Sequence, residues 1–256
     1  MKQLDLINPY NAPVYHEETV DSTMALSRIL AKRGEPHGTV IAADFQEAGR
    51  GRIRGRFWLM ERGSDLPFTV LLRYPCAEAI PTALTLRTGL AAALAIEEFA
   101  PALSGKVLIK WPNDIFIQEM GAAKKVAGIL TEADGGNVHI GIGVNVGQRQ
   151  FPGFLQDKAI SIGVAAEKRF VLLEKILAQL HAELEPAGRA DAGNSDWRSR
   201  IEARLYKKGE QVHFAEGAAD SGKTICGFLS GIGTGGELII AQSGGKERAL
   251  IVGELL

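Results

Sequence analysis

Gly49 to Trp58, GRGRIRGRFW, sets Arg50, Arg52, Arg54 and Arg56 at alternate positions with no acid among them. As a strand, this spacing would turn every guanidinium to one face, a repulsive arrangement with nothing to offset it. As a helix, each of the three interleaved glycines would cost about 1 kcal/mol against alanine. The stretch therefore reads as a mobile loop. Its glycines let the backbone approach a ligand closely, and its arginines are planar forks for a phosphate or carboxylate.

Three further stretches carry chemistry. In Lys110-Trp111-Pro112-Asn113-Asp114, Pro112 forces Trp111 out of the helical region and fixes a turn. A bare turn of this kind closes a hairpin. A lysine and a tryptophan before it make a set that could bind a base, a phosphate and a magnesium ion together. Lys125 heads an apolar run, where a lysine is ordinarily a solvated flank, but Gly128 inside the same run suggests a ligand lying across the backbone. Ser22 and Thr23 stand where a helix begins, so capping alone would account for them.

Other chemistries fit less well. Gly141-x-Gly143-x-Asn145-x-Gly147 has its third glycine one position late for a dinucleotide fingerprint, and no helix obviously follows. His16, His37, His139, His181 and His213 are scattered outside any nucleophile or metal motif. An RNA-binding reading of the arginine loop needs stacking aromatics and a wider basic surface than Phe57 and Trp58 provide.

These residues must be positioned by a framework, and the chain supplies one. Residues 24–34 carry Met24, Leu26, Ile29 and Leu30 at helical spacing with Gly34 as a stop. Residues 38–45 and 66–74 read as buried strands, and 80–100 as a long helix opened by Pro81. Short strands follow at 106–110, 115–117, 125–130 and 138–146, with residues 118–124 as a polar connector. Two helices, 169–185 and 196–206, flank an apolar-poor connector at 186–195. The pattern predicts a mixed sheet covered by helices on one face. After Gly209 short β-prone runs alternate with glycine turns, which predicts a small β-barrel of about 50 residues beyond a boundary near residue 207.

Composition narrows the class. The chain of 256 residues is 46% hydrophobic and 23% charged with a formal net charge of -1, so the arginine cluster is a local device and not part of a basic surface. Cys76 and Cys226 have no metal-ligand spacing, and a reduced cytoplasmic protein is expected, with a disulfide between them left open. No apolar run reaches the roughly 18 residues of a membrane span, and the N-terminus lacks the order of a signal peptide.

Taken in order, Asp21-Ser22-Thr23, Gln46 to Arg52 (QEAGRGR), Lys110 to Asp114 (KWPND), Lys125 to Leu130 (KVAGIL) and Gly141 to Asn145 (GIGVN) resemble the biotin protein ligases. That family attaches biotin to a lysine of carboxylase carrier domains. The resemblance implies an α+β fold, a mixed-sheet ligase domain of the class II synthetase-like type over 1–207 and a small C-terminal β-barrel over 208–256. It implies the form without an N-terminal DNA-binding domain. Biotin and ATP would be the substrates with Mg2+, and biotinoyl-5'-AMP the intermediate. The partner would be a biotin carboxyl carrier domain, with no DNA or membrane, and the protein a monomer or homodimer.

The resemblance also distributes roles. Ser22, Thr23 and Gln46 would bind polar groups of biotin, while Gly49, Arg50, Gly51 and Arg52 would fold over its carboxylate and the adenylate phosphate. Lys125 and Arg50 would act at the reacting centre, with Gly128 leaving room for ligand. Trp58, Lys110, Asn113 and Asn145 would serve the nucleotide together with Arg52, and Asp114 the magnesium ion. The sequence departs from the family pattern in a loop one residue longer, at Ile53-Arg54, in Met24 where asparagine is common, and in a longer connector before Lys125. A lipoate or other acyl ligase on the same fold, and a non-catalytic binder of biotin or its adenylate, are the alternatives.

Overall fold

The computed structural model describes residues 1–53, 55–185, 196–217 and 223–256. Arg54 and the connector expected at 186–195 lie outside them. Eight strands form one sheet: β1 (Lys2–Leu4), β2 (Val14–Glu17), β3 (Thr39–Ala43), β4 (Leu66–Arg73), β5 (Val107–Lys110), β6 (Asp114–Glu119), β7 (Ala122–Asp134) and β8 (Asn137–Val144). Their order is β1-β2-β3-β4-β8-β7-β6-β5. Only the β2–β3 pair is parallel, so the sheet is mixed as expected.

The helices cover both faces, not one. Residues directly opposite each other in a sheet share a face. The row Phe68, Ile142, Ile129 therefore faces one way, toward α2 (Leu84–Phe99), whose Gly89 packs on Ile129 and Ile115. The adjacent row, Thr69, Gly141 and Leu130, faces α1 (Thr23–Lys32), where Thr69 bonds Thr23 and Gly141 meets Met24. β3 and β4 are accordingly buried along almost their whole length. Behind α2 lies α3 (Arg169–Leu184), and the main core runs between these helices and the sheet.

Local chemistry moves two boundaries. α2 begins at Leu84, not at 80, because Ala83 adopts a left-handed conformation at φ 55° that interrupts the helical path. The connector expected at 118–124 does not exist. Met120 (φ 49°) and Gly121 (φ 82°) make a tight turn with both central residues left-handed, the type that suits strand twist, so β6 and β7 form one hairpin. By length and composition alone Ala77–Phe99 passes for a membrane span (mean hydropathy 1.5), but most of it is a core element against α3 and β5 to β7. Cys76 and Cys226 are free and exposed.

After α4 (Trp197–Glu202) a second, antiparallel sheet contains β9 (Gln211–Glu216), β10 (Thr224–Ile232), β11 (Leu238–Ala241), β12 (Glu247–Leu250) and β13 (Gly253–Leu255), in the order β12-β11-β10-β9-β13. Only Ile251 and Val252 separate β12 from β13. This sheet is pinned to the first unit by the Trp111 indole, which donates to the Gly236 carbonyl at 3.0 Å, and by the Ile232 amide, which donates to Glu202 at 3.0 Å.

Candidate active site

A cleft opens on the α1 face of the large sheet, and its floor is one row of paired residues. Lys110 pairs with Asp114, Asp114 with Gly128, Gly128 with Gly143, and Gly143 with Pro67. Three motifs far apart in sequence thus converge on a single line across five strands. The cis Trp111-Pro112 peptide lies in the turn that brings Lys110 opposite Asp114.

Lys125 and Gly128, three apart, would fall on opposite faces of a regular strand. A β-bulge reconciles them. Phe116 pairs with Lys125 but Ile115 with Ala127, leaving Val126 as the extra residue, so both Lys125 and Gly128 face the cleft. The Lys125 ammonium then lies 2.7 Å from Asp114 Oδ1. A Cβ on Gly128 would stand 3.1 Å from both the Lys125 Nζ and the Trp58 indole, and one on Gly143 would run into the same indole. These two glycines are the bed on which Trp58 lies, and its Nε1 is buried without a hydrogen-bond partner.

The closed end is polar and ordered. Ser22 caps α1 in an extended conformation without a side-chain capping bond, so capping does not use its buried hydroxyl. Thr69 donates to Thr23 Oγ1 at 2.8 Å, and the Thr23 hydroxyl and amide both donate to Gln46 Oε1, at 3.1 and 2.9 Å. This fixes Gln46 by its carbonyl end and leaves its amide end for a ligand acceptor. Met24 sulfur packs on Gly141 beside this cluster.

The arginine stretch closes the open side, and it is a hairpin, not an unpaired loop. Arg50 pairs with Phe57, Gly51 N donates to Arg56 O at 2.8 Å, and Trp58 N donates to Gly49 O at 2.9 Å. Gly49 is packed tightly enough that a Cβ would touch Gln46 and Trp58. Arg50, Gly51, Arg52 and Arg56 line the cleft. Burial pushes the Lys110 ammonium below its ordinary pKa, partly offset by Asp114 and Glu254. The cleft therefore concentrates Arg50, Arg52, Arg56, Lys110 and Lys125 against two lining carboxylates, Asp114 and Glu254. It is built to receive anions.

Most of the predicted residues meet here, but two asparagines are tied to backbone. Asn113 lines the cleft while its amide donates to Ile129 O at 2.9 Å. Asn145 is buried just past the end of β8, donating from its side chain to Ile160 O at 3.1 Å and from its own N–H to the Val126 bulge carbonyl at 2.8 Å. Its visible task is to hold the strand that presents Lys125. Glu254 is absent from the expectations; a glutamate in a short terminal strand gives no sequence signal of its place.

Residues 17–148 match the model of the biotin/lipoate A/B protein ligase family. The chain belongs to that family. The biotin--[acetyl-CoA-carboxylase] ligase of Paracoccus denitrificans is 33% identical over 244 residues, covering 89% of this chain and 93% of the relative. The bifunctional ligase/repressor BirA of Bacillus subtilis is 37% identical over 163 residues, 61% of this chain and 47% of the relative. The chain thus spans about half the length of the Bacillus relatives that it matches. Among solved structures, the biotin protein ligase from Aquifex aeolicus in complex with biotin and ATP superposes with a TM-score of 0.75 at 29% identity, over 95% of this chain and 97% of that one.

Proposed function

We propose that this protein is an ATP-dependent biotin protein ligase, with residues 1–207 as its catalytic unit and 208–256 as an accessory unit. The observation that carries the reading is the convergence of Lys125, Lys110 and the arginine hairpin on one glycine-floored cleft, in a chain similar to named biotin ligases over nearly its whole length.

In the first step a biotin carboxylate oxygen bonds to the α-phosphorus of ATP, the bond to the bridging oxygen breaks, and pyrophosphate leaves. Two anions must approach each other, so cations fixed in advance are the main catalytic resource. Lys125 and Arg50 neutralise the carboxylate and the α-phosphate. Ser22, Thr23 and Gln46 hold the polar head of biotin, and Gly49, Gly51 and Gly128 let backbone close on the ligand. Trp58, Lys110, Asn113 and Arg52 serve the nucleotide, with Asn145 supporting the Lys125 strand. In the second step a lysine amine of a biotin carboxyl carrier domain attacks the acyl carbon, AMP departs with the acyl–oxygen bond, and the amine releases its proton. The intermediate is a mixed anhydride, which a water-excluding hairpin preserves.

Magnesium would arrive with the nucleotide. Among the described residues no cluster of three ligating side chains exists, and Asp114 offers a single carboxylate beside Lys125. One carboxylate completed by phosphate oxygens is a usual donor set for this ion, so Asp114 fits.

Acid-dependent ATP–pyrophosphate exchange tests the reading with biotin, lipoate and octanoate offered separately. Exchange with biotin alone is expected. Exchange with lipoate or octanoate instead would make the protein an acyl ligase of the sister type, and biotin binding without exchange would make it a sensor.

A further inference from the structure

The described arginines of the hairpin, Arg50, Arg52 and Arg56, are not equivalent. Arg56 gives both terminal nitrogens to both oxygens of Glu254, at 2.7 and 2.8 Å, across 198 residues of sequence. Arg52 Nη2 donates to the neighbouring Gly253 carbonyl at 2.9 Å. Among the described residues the Arg50 side chain has no hydrogen bond or ion pair, although it lines the cleft. Two arginines are therefore turned toward β13, and Arg50 is left for a ligand.

The attachment point is firm. β13 pairs with β9, Leu255 opposite Phe214, and both of those side chains are buried. The C-terminal sheet is itself pinned through Trp111 and Glu202, independently of the hairpin. A two-point guanidinium–carboxylate contact fixes orientation as well as distance. The Arg56 side chain is nevertheless 55% exposed, so the contact is weak enough to open and re-form.

We propose that Glu254 is a positioning residue of the ligase reaction: through Arg56, with Gly253 assisting at Arg52, the last strand of the C-terminal sheet fastens the arginine hairpin over the cleft and leaves Arg50 free for the reacting anions. Ligand retention in the catalytic unit is thereby made to depend on the C-terminal sheet. The catalytic consequence rests on the biotin ligase reading; the fastening itself does not.

Amide hydrogen exchange on the full chain without ligand tests the fastening. In Glu254→Gln, the amides of Gly51 and Trp58 should exchange about fivefold faster, the loss of roughly one modest ion pair, while β9 amides keep their wild-type rates. The charge swap R56E/E254R should return the hairpin amides toward wild type. Unchanged hairpin exchange in Glu254→Gln, a rise shared with β9, or a swap that rescues nothing would each overturn the fastening. With biotin and ATP added, release of the adenylate from Glu254→Gln should accelerate by a similar factor. Faster hairpin exchange with unaltered release would overturn the positioning role. If the wild-type protein makes no biotin adenylate while the exchange results hold, the biotin reading fails and the fastening stands.

Discussion

The Lys125 ammonium rests 2.7 Å from Asp114 Oδ1, and Asp114 sits on the row that runs through Gly128 and Gly143 to Pro67. The bulge at Val126 is what turns Lys125 toward Asp114. A bound carboxylate and phosphate would take the ammonium over in the reaction, leaving Asp114 available to a nucleotide-borne cation. Removing one fixed charge at such a centre typically costs about 10²–10³ in rate. Lys125→Ala should therefore depress biotin-dependent ATP–pyrophosphate exchange by at least that factor while folding is kept. Near wild-type exchange in this variant would remove Lys125 from the reacting centre.

Gly143 tests the floor. A methyl group there would overlap the Trp58 indole, which lies on Gly143 and Gly128 together. Overpacking of this sort costs about 1–3 kcal/mol, and here it can be relieved by expelling the indole. Gly143→Ala should shift Trp58 fluorescence and weaken ATP binding at least about tenfold, the equivalent of 1.4 kcal/mol. Titration calorimetry giving wild-type affinity, with Trp58 emission unmoved, would mean that the indole is not seated as described.

How much of this was legible beforehand depends on the range of the cause. Gly128 was readable as a point of close backbone approach because glycine inside a β-prone run has few other uses. Ser22 and Thr23 were placed correctly at the start of α1 by local helix signals. The convergence of Lys110, Asp114, Gly128 and Gly143 was not readable from spacing, since it depends on strand register and on one extra residue at Val126. The Met120-Gly121 turn was obscured by the polar residues around it, and a left-handed methionine carries no compositional mark. Coverage of the sheet on both faces follows from which rows α1 and α2 meet, which is tertiary information. The Arg56–Glu254 contact lay furthest from view, because it joins two units whose docking no local pattern specifies.

Glu183 bears on the scaffold. Its buried carboxylate accepts from Arg87 Nε at 2.9 Å and from Arg200 Nη1 at 2.8 Å, joining α2, α3 and α4. Arg87 is only 7% exposed and cannot turn to water when its partner is lost. Breaking a buried pair from one side typically costs about 3–5 kcal/mol. Urea unfolding of Glu183→Ala should show a loss in that range, and Glu183→Gln, which keeps an acceptor, a smaller one. Equal and small losses in both would show that the cluster adds little to stability.

Asp65 gives the protein a specific pH signature. It is fully buried, accepting from the Glu61 amide at 2.9 Å and the Val146 amide at 3.1 Å, and so ties the segment after Trp58 to the end of β8. Burial pushes its carboxyl up from 3.8 to about 6, against the opposing pull of these amides. The native state thus holds the proton across a range where the unfolded chain has released it. Its contribution to stability is fully present below pH 3.8 and is lost as pH rises through about 6, a change of about 3 kcal/mol from this group. Other carboxylates, such as Asp44 and Glu254, are shifted the opposite way, so the effect must be read as a difference. Between pH 4 and 7 the wild-type protein should lose about 2 kcal/mol relative to Asp65→Asn, whatever the absolute stability of the variant, because at pH 4 the unfolded carboxyl is already partly ionised. Parallel urea-stability curves for the two proteins over that range would show that the Asp65 carboxyl titrates alike in both states, and that its amide partners fully offset its burial.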